Sequence, residues 1–80
     1  MPMTVDKMLK RLKEGYYIKH NNDEKLRKEL NAQFHSDALE ASGLSNNPKR
    51  DAAFELAFET CRYDGHEAIF TRLLEYASLL

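Results

Sequence analysis

Apolar residues recur at helical spacing along the chain, and the pattern is clearest between Ser45 and Leu80. Two amphipathic segments there flank Asp64 and Glu67, whose spacing is that of a capping box and predicts a new helix with Asp64 as its N-cap. The apolar positions are Ala53, Phe54, Ala57, Phe58 and Cys61, widened by Leu56, and then Ile69, Phe70, Leu73, Leu74, Tyr76, Ala77 and Leu80. Residues 45–80 are therefore predicted to form an antiparallel helical hairpin.

Local signals set the expected start of the first helix of that hairpin. Pro48 is suited to the first turn of a helix and is disfavoured deeper inside, so Asn46 or Asn47 is expected to be the N-cap. The helix is predicted to run from Pro48 to Arg62.

The first half of the chain predicts one or two further helices and a connector. Thr4 is the expected N-cap of a helix that ends at Gly15, and Asp23 is the expected start of another that ends at Gly43-Leu44. Their apolar stripes are Val5, Met8, Leu9 and Leu12, and then Leu26, Leu30, Phe34, Ala38 and Ala41.

Two points in this half stay open in the sequence. Residues 16–20 could form a short extended segment or a helical turn, and we interpret them as a structured connector. Ser36 could start a separate short helix instead of continuing the one from Asp23. The predicted fold is a single all-α domain, residues 1–80, in which three to four helices form a small bundle.

Size restricts the classes of function. A chain of 80 residues is near the length at which one core becomes marginal, which favours binding roles over enzymatic ones and favours self-association as a homodimer. No apolar run approaches the roughly 20 residues that cross a bilayer, so neither a membrane span nor a signal peptide is expected. The single cysteine, Cys61, excludes an intramolecular disulfide and indicates a reducing cytoplasm.

Charge is unevenly placed although the net charge is −1. Residues 1–30 hold eight Lys/Arg and five acids, a net +3, whereas residues 31–80 hold four and eight, a net −4. The basic residues of the first helix predict phosphate contacts and make nucleic-acid binding the alternative function. They are Lys7, Lys10, Arg11 and Lys13. A solvated helix face is the simpler explanation of such a charge run.

Catalytic and metal-binding patterns are lacking in the sequence. His20, His35, His66 and Cys61 do not have the spacing of a zinc motif, and the isolated glycines form no phosphate loop. Cys61 lies on an apolar stripe, which predicts a buried thiol, and His66 is expected to be an exposed turn residue. We expect no metal, no cofactor and no enzymatic activity.

Tyrosine and arginine residues are the best candidates for a protein-binding surface, because both types are enriched at the centre of interfaces. The candidates are Tyr16, Tyr17, Arg62, Tyr63 and Arg72, and the three tyrosines are expected to be exposed. The alternative is that Tyr16 and Tyr17 cover the core with the edges of their rings.

A pattern in residues 37–80 resembles small, largely uncharacterised proteins of tailed bacteriophages. It comprises Asp37-Ala38-Leu39, Gly43-Leu44, Asn47-Pro48-Lys49, the run from Ala53 to Glu59, Gly65 and Ile69. Phe58 stands where tryptophan is common in that family, and Cys61-Arg62 stands where Gly-His is found. The resemblance implies a phage protein in the host bacterial cytoplasm, where it would bind a host or defence protein as an inhibitor or adaptor in host takeover.

Overall fold

A computed structural model describes residues 2–19 and 22–80 of the chain. This part contains four α-helices, one 3-10 helix and no strand, so the predicted all-α fold is confirmed. The elements are α1 (Val5–Lys13), η1 (a 3-10 helix, Tyr16–Ile18), α2 (Glu24–Ala41), α3 (Arg50–Cys61) and α4 (His66–Ala77).

The first helix and the connector follow the local signals. Thr4 Oγ1 accepts from the Lys7 N–H at 3.2 Å, which satisfies one of the unpaired donors at the start of α1. Gly15 has a φ of 68°, and the chain then turns into η1. The connector is thus helical, and an extended segment is the wrong alternative for Tyr16–Ile18; His20 lies outside the described residues.

The second helix is continuous, so the alternative of a separate helix beginning at Ser36 is wrong. Asp23 Oδ1 accepts from the Leu26 N–H at 3.1 Å at its start. At its end Gly43 has a φ of 81°, and the Leu44 N–H donates to Leu39 O at 2.8 Å, which is the pattern of a Schellman motif. The side chain of Leu44 is buried.

The third helix begins two residues after Pro48. Asn47 Oδ1 accepts from the Lys49 N–H at 2.8 Å, and Asn47 O accepts from the Arg50 N–H at 3.1 Å. Asn47 therefore caps a tight turn at Pro48 and Lys49, and regular helix starts at Arg50. The N-cap of α3 is Lys49, so the prediction of Asn46 or Asn47 as the N-cap is wrong, and the predicted helix start is early by two residues.

The fourth helix starts without the predicted capping box. Its N-cap is Gly65, with a φ of 98° and no side-chain hydrogen bond, and His66 is its first residue. The Asp64 N–H donates to Cys61 O at 2.9 Å, so Asp64 belongs to the turn that ends α3. Asp64 thus precedes the N-cap by one residue, and its assignment as the cap is wrong.

The helices α3 and α4 form the predicted hairpin and share the most extensive contact in the molecule. They are antiparallel, because Ala52 at the start of α3 and Leu79 just after α4 line one groove at the open end of the hairpin. The four largest fully buried side chains lie in one core, which also takes in residues of α1, η1 and α2. They are Phe70, Met8, Ile69 and Leu73.

Across the described residues, every helix is too short or too polar to span a membrane.

Candidate protein-binding surface

Tyr17 links three elements through a polar contact beneath the surface. Its hydroxyl donates to Asp37 Oδ2 at 2.7 Å, and Arg11 Nη1 donates to the same oxygen at 2.7 Å. The pKa of Tyr17 is raised by burial and by the hydrogen bond to Asp37. Because the side chain is only 2% exposed, the prediction that Tyr17 is an exposed binding residue is wrong.

Tyr16 lies at the edge of the same contact and is half-buried. Its ring lies 4.5 Å from the Arg11 guanidinium carbon, and its hydroxyl accepts from Gln33 Nε2 at 3.1 Å. These contacts tie η1 to α1 and α2. Both tyrosines of the connector therefore cover the core, which was the alternative interpretation of this pair.

His66 lies at the junction of α4, α2 and η1. Its ring stacks on Phe34 with 4.4 Å between ring centroids and meets the edge of Tyr17 at 6.0 Å. Burial lowers the pKa of His66, because the charged imidazolium is poorly solvated there. The expectation of an exposed turn histidine is wrong, since the helix begins at His66 and the ring packs between two elements.

An exposed cluster of Phe58, Arg62 and Tyr63 lies at the end of α3. The Arg62 guanidinium carbon is 5.8 Å from the centroid of the Phe58 ring and 5.2 Å from that of Tyr63. Phe58 is 40% exposed and Tyr63 is 90% exposed. Two aromatic faces and a cation are thus presented to solvent together, with the guanidinium within cation–π distance of both rings.

A groove of about 360 Å³ adjoins this cluster between α2, α3, η1 and the start of α4. We call it the arginine–aromatic groove. Its principal side chains are Ile18, Arg27, Asn31, Phe58, Arg62 and His66. Its charged lining residues are Arg27 and Arg62, and no carboxylate is among the described residues that line it.

Neither guanidinium of the groove is neutralised within the described residues. The salt bridges in this part of the chain are those of Arg11, Lys28, Arg50 and Arg72, and none includes Arg27 or Arg62. The groove therefore combines an apolar and aromatic lining with two arginines that form no ion pair within the described residues, Arg27 on α2 and Arg62 at the C-cap of α3.

Acidic residues lie on the opposite side of Phe58. A second groove there is lined by Glu55 and Glu59 together with His35, Phe54, Phe58 and Arg62. The side chains of Phe58 and Arg62 thus separate a positively charged groove from a partly acidic one. The surface therefore changes from positively charged to partly acidic across the side chains of Phe58 and Arg62.

Arg72 is not brought together with this cluster. It makes an ion pair with Glu75 at 3.6 Å and lines a separate groove with Cys61 and Glu67. Of the five predicted protein-binding residues, only Arg62 and Tyr63 are neighbours in an exposed cluster.

The predicted nucleic-acid-binding residues of α1 divide into two groups. Lys7, Lys10 and Lys13 are exposed, whereas Arg11 is partly buried and paired with Asp37 at 2.7 Å. Arg11 therefore acts as a structural contact, and three lysines remain on the helix surface as candidates for phosphate contacts.

The described residues contain no group of three or more His, Cys, Asp or Glu side chains that could hold a metal ion. Cys61 is 5% exposed, so its predicted burial is confirmed. His20, which was also considered as a possible zinc ligand, lies outside the described residues.

Five of the six principal side chains of the groove were not among the predicted binding residues, namely Ile18, Arg27, Asn31, Phe58 and His66. Phe58 was assigned to the apolar stripe of its helix, and its spacing of four from Arg62 was the available signal. Arg27 and Asn31 have the same spacing on α2. No local signal joins the two pairs, because Asn31 and Phe58 are 27 residues apart in the chain.

Comparison with known proteins gives a family but no activity. The chain matches a family of unknown function, DUF8546, over residues 3–80. No match was found among curated proteins or among solved structures. Since the match spans nearly all of the sequence, the chain belongs to the DUF8546 family.

Proposed function

We propose that this chain is a small, non-enzymatic phage-type protein that binds a host or defence protein of a bacterium and acts as an inhibitor or adaptor. The observation that supports this proposal is the exposed cluster of Phe58, Arg62 and Tyr63. Arginine and tyrosine, together with tryptophan, are enriched among the residues that dominate binding energy, whereas lysine, glutamate and aspartate are depleted at interfaces.

The exposure of the two rings supports a binding role over a packing role. Tyr63 is 90% exposed, so its ring adds almost nothing to the core, while a partner that covered it would gain a large apolar area. Arg62 lies against both rings, which reduces the side-chain entropy lost when a partner binds. The cluster is therefore partly ordered for binding.

The lining of the adjoining groove supports a binding role over catalysis. Among the described residues that line it there is no serine, cysteine, threonine or carboxylate to act as nucleophile or acid, and the His66 ring is stacked on Phe34. A binding site needs only the apolar and cationic groups that are present.

The test is capture of proteins from bacterial lysate by the immobilised full chain. A specific protein should be retained by the wild-type chain and lost with Phe58→Ala or Tyr63→Ala, since both remove ring area from the exposed cluster. Leu56→Ala is the matched control. Leu56 is 54% exposed and lies about 200° around the same helix from Phe58, and this variant should retain the protein.

Equal retention by all variants, or no specific retention by the wild-type chain, would contradict the proposal. Folding of each variant is checked by its circular dichroism spectrum, which should match that of the wild type.

Electrostatic binding to nucleic acid remains the second candidate, and the exposed Lys7, Lys10 and Lys13 on α1 favour it. If three lysines contact phosphates on a duplex, the slope of log K against log salt should be about −2.7, because each neutralised phosphate contributes about −0.9. Mobility shifts on duplex and single-stranded DNA measure this. Absence of a salt-sensitive complex, or no loss with the triple Lys→Gln variant, rejects this candidate.

A further inference from the structure

We infer that the arginine–aromatic groove binds an extended acidic peptide segment of a partner protein, in which carboxylates lie next to an apolar side chain. This inference rests on the proposed function and specifies the chemistry of the partner. It is based on charge complementarity, on the apolar lining and on the size of the groove.

The charge of the groove selects for carboxylates. Arg27 is contributed by α2 and Arg62 by the C-cap of α3, and neither forms an ion pair with the residues that the structure describes. A guanidinium offers a planar fork of donors that matches a carboxylate with two parallel hydrogen bonds. Two guanidinium groups on separate helices can therefore bind two carboxylates along a short segment.

The lining of the groove selects for an apolar residue beside the acids. Ile18 is 57% exposed and Phe58 is 40% exposed, and both face this groove with the ring of His66. The buried residue Ile69 also contributes to the lining. A leucine, methionine or aromatic side chain of the partner would cover these surfaces and remove apolar area from water.

Size and depth favour a peptide segment as the ligand. The volume of about 360 Å³ lies at the lower end of the range for sites that enclose small ligands, which is enough for one large side chain and its neighbours. The amide of Asn31 can both donate to and accept from the backbone of an extended peptide. The groove thus offers a charge contact, an apolar contact and a backbone contact within one site.

The surroundings disfavour nucleic acid at this site. Glu55 and Glu59 line the groove on the other side of Phe58, and Asp64 adjoins Gly65 of the groove. A phosphate backbone carries a charge at every nucleotide, so these neighbouring carboxylates would repel it more strongly than a short peptide with two acids. A peptide with only two or three acids can end before it meets them.

The experiment is selection of a randomised peptide display library on the immobilised full chain, followed by fluorescence anisotropy with the enriched peptide. Enriched sequences should contain Asp or Glu within two positions of a large apolar residue. Arg27→Gln and Arg62→Gln should each weaken binding of that peptide by roughly tenfold, as expected for the loss of a charged hydrogen-bonded contact. Replacing its acids with Asn or Gln should weaken binding similarly.

Lys25→Gln is the matched control for charge. Lys25 is exposed on the same helix as Arg27 and lies about 200° away from it, so this variant removes an equal charge outside the groove and should bind the peptide like the wild type. All substituted side chains are exposed, and unchanged circular dichroism spectra exclude unfolding as the cause of any loss.

Three outcomes of the peptide experiment would overturn the inference. These are enriched peptides without acidic bias, acidic peptides whose affinity is unchanged by Arg27→Gln and Arg62→Gln, and a selection that enriches nothing. Salt-sensitive DNA binding that is lost in both arginine variants would also overturn it and assign the groove to nucleic acid. If a lysate protein is nevertheless captured, and Phe58→Ala or Tyr63→Ala abolishes its capture, the proposed function stands. Failure of the inference about the groove is thereby distinguished from failure of the proposed function.

Discussion

Arginine lies against tyrosine in two regions of this molecule, and the regions differ in whether a carboxylate joins them. Arg11 stacks on Tyr16 and shares Asp37 with the buried hydroxyl of Tyr17. Arg62 stacks on Phe58 and Tyr63 at the surface, and no described carboxylate neutralises it. The first region joins α1, η1 and α2 to one another, and the second presents a positive charge and two aromatic rings to solvent.

The contrast shows that residue type alone does not mark a binding surface. In the first region the charge and hydrogen-bonding groups are satisfied within the chain, so burial there stabilises the folded state. In the second region the same kinds of groups remain available to a partner. The position of Asp37 on α2, where it meets Arg11 of α1 and Tyr17 of η1, is what separates the two cases.

The largest effect is expected when the joining carboxylate is removed. Asp37→Ala leaves the buried hydroxyl of Tyr17 without its oxygen partner and Arg11 without its ion pair, which should lower the free energy of unfolding by about 2–3 kcal/mol. Urea denaturation measures this. Glu75→Ala is the control, because it breaks an exposed ion pair and should cost less than about 0.5 kcal/mol.

If Asp37→Ala and Glu75→Ala lower the free energy of unfolding equally, the buried region around Asp37 is no more important for stability than an exposed ion pair. Tyr17→Phe should fall between them, at about 1 kcal/mol, since it removes the hydroxyl while Arg11 still neutralises Asp37.

A smaller effect is expected from His66, which lies where the buried region meets the arginine–aromatic groove. Burial lowers its folded-state pKa below the ordinary 6.5, so the unfolded chain binds more protons as the pH falls below about 6.5. Stability should therefore decrease from pH 6.5 down through the folded pKa and then lose no more from this group. Denaturation midpoints of wild type and His66→Gln between pH 7.5 and pH 5 measure this.

A constant difference between the two midpoints across this pH range would show that His66 does not contribute to the acid sensitivity.

The smallest effect on stability is expected in the exposed region. Tyr63→Ala should change the free energy of unfolding by less than about 0.5 kcal/mol, because the ring is 90% exposed and contacts mainly Arg62. Thermal and urea denaturation measure this. A loss above 1 kcal/mol would mean that Tyr63 stabilises the fold. The region around Arg62 would then also contribute to stability, which contradicts the distinction between the two regions.

Elements with local signals were predictable from the sequence. Thr4, Asp23 and the Gly43-Leu44 pair each act on backbone groups within five residues, so the ends of α1 and α2 follow from adjacent residues. The cap of α4 was not predictable in this way. Gly65 takes the N-cap position with a φ of 98°, which sequence spacing between Asp64 and Glu67 does not reveal.

The candidate site was only partly predictable. Arg62 and Tyr63 are adjacent in the chain and were identified by residue type, but their neighbours Arg27 and Ile18 belong to other elements. Tyr17 was assigned to the wrong environment because its partner Asp37 is twenty residues away. Hydrophobic periodicity reports which face of a helix is apolar and does not report which polar group of another helix will meet it.

The sequence by itself determined the helical class, the hairpin and most of the helix ends, because these depend on periodicity and on hydrogen bonds between near neighbours. The tertiary structure alone decided which arginine is neutralised and which remains available, since that depends on the approach of helices that are distant in the chain. Burial of Tyr17 beside Asp37 and exposure of Tyr63 beside Arg62 follow from the same packing of α1, α2 and α3.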